Sequence, residues 1–305
     1  MRRAWRAWAA LWDQREPATA LALVRMYVGL ALLADLLNLA HVGVMTAMYT
    51  AAPEGYAMPS GGFATEILDT GLGPTLWLVA VIAAGCVLVG LATRLACVTL
   101  AVAMAQLAYL CPDSDRGIQV VLRLVLVILA FSGCNAKWSI DAWLRRLIKR
   151  PMPALVPAWP RYLLLFQLLW IYCSAGINKS GAEWGPQGGF MALANALTDP
   201  HFARFDPAWV SSVIPVTQVA TAVTLVFELS APLYLVWLYC AETADRPGVL
   251  RKWINRLRLR WLWIATGIVF HLGLVIALPI GLFPWGMLAL YPVLLRPKEL
   301  GTVST

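Results

Sequence analysis

The sequence predicts an all-α fold: a polytopic membrane helix bundle of about eight transmembrane helices, with the N- and C-termini cytoplasmic. Three observations carry this. The chain has 305 residues, is 60% hydrophobic and only 13% charged, where a soluble protein carries about 25% charged residues. Its apolar runs recur at lengths near the roughly 20 residues a helix needs to cross a bilayer. Its Lys and Arg residues fall in alternate connecting segments. A mean hydropathy of +0.70 leaves more apolar surface than a water-soluble fold can cover. The net charge of +8 therefore reads as loop asymmetry, not as a nucleic-acid surface. Fifteen tryptophans suit the aromatic belts at the two membrane interfaces.

Taken in order, "MRRAWRAWAALW" carries Arg2, Arg3 and Arg6 with Trp5, Trp8 and Trp12 at helical spacing. It lacks the uninterrupted apolar core of a cleavable signal. Residues 1–16 are expected to form an amphipathic helix lying on the membrane. Residues 17–298 form the transmembrane domain, and 299–305 a short tail. Within the domain the apolar runs place spans at 18–40, 74–92, 94–111, 118–134, 160–178, 211–239, 259–278 and 279–296. The second and third are parted only by "TRL", and the last two by "LPIGLFP". Cysteines 86, 97, 111, 134, 173 and 240 show no CxxC or metal-ligand spacing, so neither a disulfide framework nor a metal is expected.

Charge sets the orientation. With the N-terminus inside, every inner segment is basic: Arg2, Arg3, Arg6 and Arg15; Arg94; Lys137, Arg145, Arg146, Lys149 and Arg150; Arg246 to Arg260; then Arg296 and Lys298. The outer segments hold Arg116, Lys179 and Arg204 as their cations, alongside several carboxylates.

Ionisable groups inside a bilayer are costly and usually pair within the bundle. Arg25, Asp35, Arg123, Glu228 and His271 are such groups. Asp35 and Arg123 both lie about 7 Å from the outer ends of their spans, and Arg25 and Glu228 both lie in the inner halves. The expected ion pairs are Asp35–Arg123 and Arg25–Glu228. They either pin helices together or line a site. His271 has no charge partner at matching depth; it is either a buried neutral imidazole or a proton-transfer group.

Lys179 opens the outer segment "KSGAEWGPQGGF" directly after an apolar run. It is either a snorkelling anchor or an amine desolvated beneath a Trp- and Gly-rich loop and so usable as a base. Glu183 shares its face if the helix continues, while "GPQGG" marks a helix end. Lys179, Glu183 and His271 are the candidate catalytic residues; Trp184, Arg123 and Asp35 are the candidate cofactor contacts.

At these residues the chain resembles a known family. "AGINKSGAEW" (175–184) is similar to the segment that carries the catalytic lysine of vitamin K-dependent γ-glutamyl carboxylases. "LALVRMYVGL", "LVLVILAFSGCNAKWSIDAWL", "FELSAPLYL" and "FHLGLVIALPIGLFPWGMLAL" follow the same order as in the HTTM domain shared by those enzymes and many small bacterial proteins. The resemblance covers nearly the whole chain. It implies that Lys179 deprotonates a vitamin K-type hydroquinone, which then reacts with oxygen to give a base strong enough for carboxylation of a substrate glutamate. Two features depart from the carboxylases. The chain is expected to lack their extra-membrane substrate-binding domain, and "CPDSDRG" has no histidine. "YCSAGINKSGAEW" and "FHLGLVIALPIGL" look closer to the small bacterial branch of the sporulation-delaying protein B type, which serves maturation of a secreted antimicrobial peptide.

The expected function is a carboxylase-like or quinol-linked enzyme of the bacterial cytoplasmic (inner) membrane. It would act from its outward face on an exported peptide. Its expected partners are membrane lipid, that peptide and small proteins of the same pathway, with no nucleic acid. The alternative is a non-enzymatic membrane partner that escorts such a peptide, with Lys179 as an electrostatic contact.

Overall fold

The protein was analysed as a computed structural model, which describes residues 13–301 apart from 53, 54 and 60, together with residues 5 and 10. Ten of the sixteen residues of the interfacial helix expected over 1–16 lie outside the described residues; its end, from Arg15, is extended. Most of the tail, 302–305, also lies outside them. The protein is 71% helical and forms two compact units, Met1–Leu165 with Trp285–Thr305, and Phe166–Pro284.

The first unit departs from an all-helical chain at one small ribbon. Strand β1 (Arg15–Pro17) pairs antiparallel with β2 (Leu155–Pro157), Glu16 opposite Val156. Its helices are α1 (Thr19–His41), α2 (Met45–Tyr49), α3 (Gly62–Asp69), α4 (Gly73–Val89), α5 (Thr93–Leu110), α6 (Gly117–Phe131) and α7 (Ile140–Leu147). Helix α8 (Trp159–Asn178) continues into the second unit. Helix α4 packs on both α1 and α5, and α5 packs on α6. Leu21, Val24, Val28 and Leu32 form a buried stripe along α1, and Leu122, Val125, Leu126 and Leu129 one along α6. This is the spacing of a single helix face. Leu30, Leu37, Ile82, Leu95 and Leu124 point outward. Apolar side chains on both faces suit a bundle whose solvent is lipid.

The second unit holds α9 (Ala192–Thr198), α10 (Ile214–Leu229), α11 (Leu233–Glu242), α12 (Val249–Arg256) and α13 (Leu259–Ala277). Helix α14 (Phe283–Leu288) leads back to the first. Ala194, Leu197, Val210 and Leu278 form one of its buried clusters.

Among the described residues, four helices are long and apolar enough to cross a membrane: Thr19–His41, Thr93–Leu110, Pro207–Leu229 and Val249–Ala277. Gly62–Asp69 with Gly73–Val89, bent by 99°, makes a fifth if taken as one broken span. The run at 118–134 yields only the 15 residues of α6. The long run at 211–239 breaks after Leu229, and Pro232 precedes α11. The run at 279–296 is cut by Pro and Gly into α14 and a short 3-10 segment, Tyr291–Leu294. Proline removes a helical donor and clashes with the preceding turn, so apolar length overstates helix length here.

The expected ion pairs are corrected. Arg123 does not pair with Asp35. It makes a two-pronged bond to Asp115, at 2.8 and 2.7 Å. A guanidinium fork fits a carboxylate side-on, and the loop residue eight positions earlier is the carboxylate this fork meets. Asp35 instead accepts a hydrogen bond from the Gln119 side chain. Arg25 does not pair with Glu228 either. It is fully buried and donates to the carbonyls of Val87 (2.6 Å), Leu88 (2.8 Å) and Trp138 (2.5 Å).

The α4–α5 turn is closed from the other side by Asp141. Its carboxylate accepts from the Ala92 and Thr93 backbone N–H groups, the Thr93 hydroxyl and Asn135. Burial pushes the Asp141 carboxyl upward, but these bonds outweigh it and hold the group below its ordinary value. A carboxylate at a helix N-terminus satisfies otherwise unpaired donors.

Candidate functional site

The second unit builds its site on three turns of α8. Tyr172, Gly176 and Lys179 follow at four- and three-residue steps, so they share one face. Gly176 keeps that face clear. A methyl group there would come within 3.1 Å of the Glu228 and Leu229 side chains. Glycine thus admits α10 close to α8, and the helix itself ends at Asn178.

Lys179 Nζ lies 2.6 Å from Glu228 Oε2, with the Glu228 side chain only 5% exposed. Trp184 covers the same amine, its ring centre 4.9 Å from Nζ. Glu228 therefore takes the pairing role that the sequence offered to Glu183. The Glu183 carboxylate turns back over Gly181. The chain after Asn178 breaks into short 3-10 turns at Ala182–Trp184 and Pro186–Gly188, so the helical register that would align Glu183 with Lys179 is lost.

That segment folds back along α10. Gln218 donates to the Gly189 carbonyl at 2.8 Å, and the Thr221 hydroxyl accepts from Leu193 N at 3.1 Å. Ile214 to Glu228 is about 21 Å of helix. The amine is thus held near the end of α10 remote from Ile214, with residues 182–193 lying against the turns between.

Two turns back along α8, the Tyr172 hydroxyl lies 2.6 Å from His271 Nε2, both side chains buried. Phe227 meets the Tyr172 ring edge-on at 4.8 Å and Trp263 at 5.5 Å. Trp263 Nε1 donates to the Phe227 carbonyl at 3.0 Å. The Lys179–Glu228 pair and the Tyr172–His271 pair therefore flank one aromatic cluster. Behind Phe227 and Trp263, a groove of 420 Å³ runs past Val223, Val226, Trp237 and Leu262. Its walls are almost entirely apolar, and Val226 and Leu262 are exposed at its rim.

Of the residues singled out from sequence, Lys179, Trp184 and His271 come into this region. Arg123 and Asp35 belong to the other unit, where they line a small crevice of mixed polarity with Tyr49, Asp115 and Gln119. Sequence reasoning missed Tyr172 and misassigned Glu228. Tyr172 could have been found as the polar residue two turns behind Lys179. Among the described residues, no three histidine, cysteine or carboxylate side chains come together as a metal site would require.

The HTTM domain family matches residues 14–245, well over half of the chain. Lys179, Trp184 and Glu228 lie within the match and His271 beyond it. No curated protein and no solved structure matches significantly. With its apolar helices and this match, the chain belongs to the HTTM domain family and is a membrane protein related to the vitamin K-dependent carboxylases.

Proposed function

We propose that this protein is a bacterial inner-membrane enzyme of the sporulation-delaying protein B type, using Lys179 as a base in quinol-linked or carboxylase-like chemistry on an exported peptide. The observation that carries the reading is the pair between half-buried Lys179 and buried Glu228 beneath Trp184. An ammonium bonded to a buried carboxylate has a route for its proton. Passing it to Glu228 Oε2 over 2.6 Å leaves a neutral amine, which can accept a proton from a substrate hydroxyl or carbon acid. Trp184 covers one side of the amine. The Tyr172 hydroxyl and His271 offer a second buried donor–acceptor pair.

A hydroquinone of the vitamin K type fits the site's chemistry: the apolar groove behind Phe227 and Trp263 suits a hydrophobic molecule. Bound there, it would supply reducing equivalents and an acidic hydroxyl. Phe227 and Trp263 would hold its apolar part, and its hydroxyl would have to extend beyond the groove, which Lys179 does not line, to give that residue its proton. The test uses the full chain in lipid nanodiscs with a reduced naphthoquinone, following oxygen uptake, and mass spectrometry of exported peptides co-expressed with the chain. Uptake and a mass change that depend on the chain are expected. No uptake with an unmodified peptide would remove the enzyme reading in favour of a peptide-escorting partner.

We further propose about eight crossings with both ends cytoplasmic: α1, α4, α5, α6, α8, α10 together with α11, α13, and α14 with its neighbouring turns. The basic inner segments support this orientation. Cysteines placed near Ala57 and Gln187 are expected to react with an impermeant reagent from outside. Cysteines near Arg146 and Arg256 should react only after permeabilisation. External labelling at Arg146 would overturn the topology.

A further inference from the structure

A groove of the first unit shares no residue with the site just described. It has a volume of 640 Å³ and is bounded by the first turn of α5, by α7 and by residues 152–156. That size is within the range of about 300–1,000 Å³ found for ligand pockets. Its rim carries two guanidiniums, Arg94 and Arg145, and its walls carry Leu95, Leu144 and Val156.

Arg94 is informative because, beyond its share in the basic inner face, no side chain among the described residues engages it. It sits in the first turn of α5, where the helix dipole disfavours a cation. The cap of that helix is already supplied by Asp141. Arg94 is exposed and forms no ion pair among the described residues. Asp141 also lines the groove, but its carboxylate is engaged by four donors of the α4–α5 turn and Asn135. Helix α7 is two-faced. Trp143, Leu144, Leu147 and Ile148 are exposed beside Arg145, Arg146 and Lys149. Large exposed apolar residues interleaved with cations mark a helix lying at a membrane interface.

We propose that this groove seats one anionic phospholipid, its phosphate on Arg94 and Arg145 and the start of its acyl chain along Leu95 and Leu144. The commitment to a lipid rests on charge complementarity combined with the apolar wall. A soluble phosphate would use the guanidiniums but leave Leu95, 68% exposed, and Leu144 uncovered. A zwitterionic lipid would not compensate two cations.

The test is native mass spectrometry of the full-length chain released from nanodiscs of equal parts phosphatidylglycerol and phosphatidylcholine. The wild type is expected to retain one phosphatidylglycerol in preference. The double variant Arg94→Gln/Arg145→Gln removes both cations of the groove from exposed positions. It is expected to lower that preference by about thirtyfold, whereas Arg146→Gln/Lys149→Gln, the same charge change on α7 outside the groove, should alter it by less than about threefold. Equal losses in the two variants would mean a diffuse basic surface and overturn the site. So would equal retention of the two lipids by the wild type.

Discussion

Lys179→Arg is expected to fold and insert as the wild type does, yet to lower hydroquinone-dependent oxygen uptake by about 10²–10⁴-fold, the usual contribution of a positioned general base. Arginine keeps the charge and can bond Glu228 through its fork, but it does not give up its proton in proteins. It therefore preserves the pair while removing the chemistry. Lys179→Ala removes both. It leaves the Glu228 carboxylate, 5% exposed, without its cation, and stranding one member of a buried pair costs about 3–5 kcal/mol. Lys179→Ala/Glu228→Ala should recover most of that loss, so the two single costs should not add. Thermal unfolding of the wild type, Lys179→Ala, Glu228→Ala, the double variant and Lys179→Arg in one detergent, beside the uptake assay, separates the roles. Activity retained by Lys179→Arg would make Lys179 an electrostatic contact and favour the escorting partner. Additive single-mutant costs would mean that the 2.6 Å pair contributes nothing to stability.

The helical class was legible in sequence; the pairing of charges was not. Periodic apolar runs specify where helices form because burial repeats every three to four residues, as in α1 and α6. A break between the second and third runs was also legible, but it falls at Gly90–Ala92, where Gly90 ends α4 in a left-handed conformation at φ 71°, and "TRL" is the first turn of α5. Depth was another matter. Glu228 was placed by counting along one straight span over 211–239, but that span breaks at Ser230–Pro232. Counting through a break puts a side chain at the wrong level and gives it the wrong partner. Arg123 was likewise matched by depth alone, whereas a long side chain at a helix end reaches back to its own loop, here to Asp115. Tyr172 escaped notice because a tyrosine in an apolar run reads as core until its hydroxyl partner is known. Arg25 shows the limit most clearly: its partners are backbone carbonyls, which no letter of the sequence distinguishes.

Arg25→Met is accordingly expected to destabilise the protein by about 3 kcal/mol, the scale of leaving several buried acceptors unmet. Methionine is similarly long and flexible, so the loss is chiefly one of hydrogen bonds. The last carbonyls of α4 have no partners within the helix. Val87 and Leu88 find theirs in the Arg25 guanidinium, which also suits the negative end of the helix dipole. A third bond, to Trp138, holds a residue in the left-handed region at φ 51°, where a non-glycine backbone is strained. The guanidinium occupies the space that any side chain at position 90 would need. A methyl group on Gly90 would come within 2.7 Å of Arg25 Nη1 and 2.9 Å of Cζ, so Gly90→Ala should damage the same turn by steric displacement. Arg25→Lys should fall between, because one ammonium on a shorter stem cannot reproduce the planar fork across both groups of carbonyls. The measurement is unfolding in mixed micelles, with the thiol reactivity of the fully buried Cys97 of α5 reporting whether the α4–α5 packing has opened. Arg25→Met as stable as the wild type, with Cys97 still protected, would show that burying this cation cancels the bonds it makes and that Asp141 suffices to hold the turn.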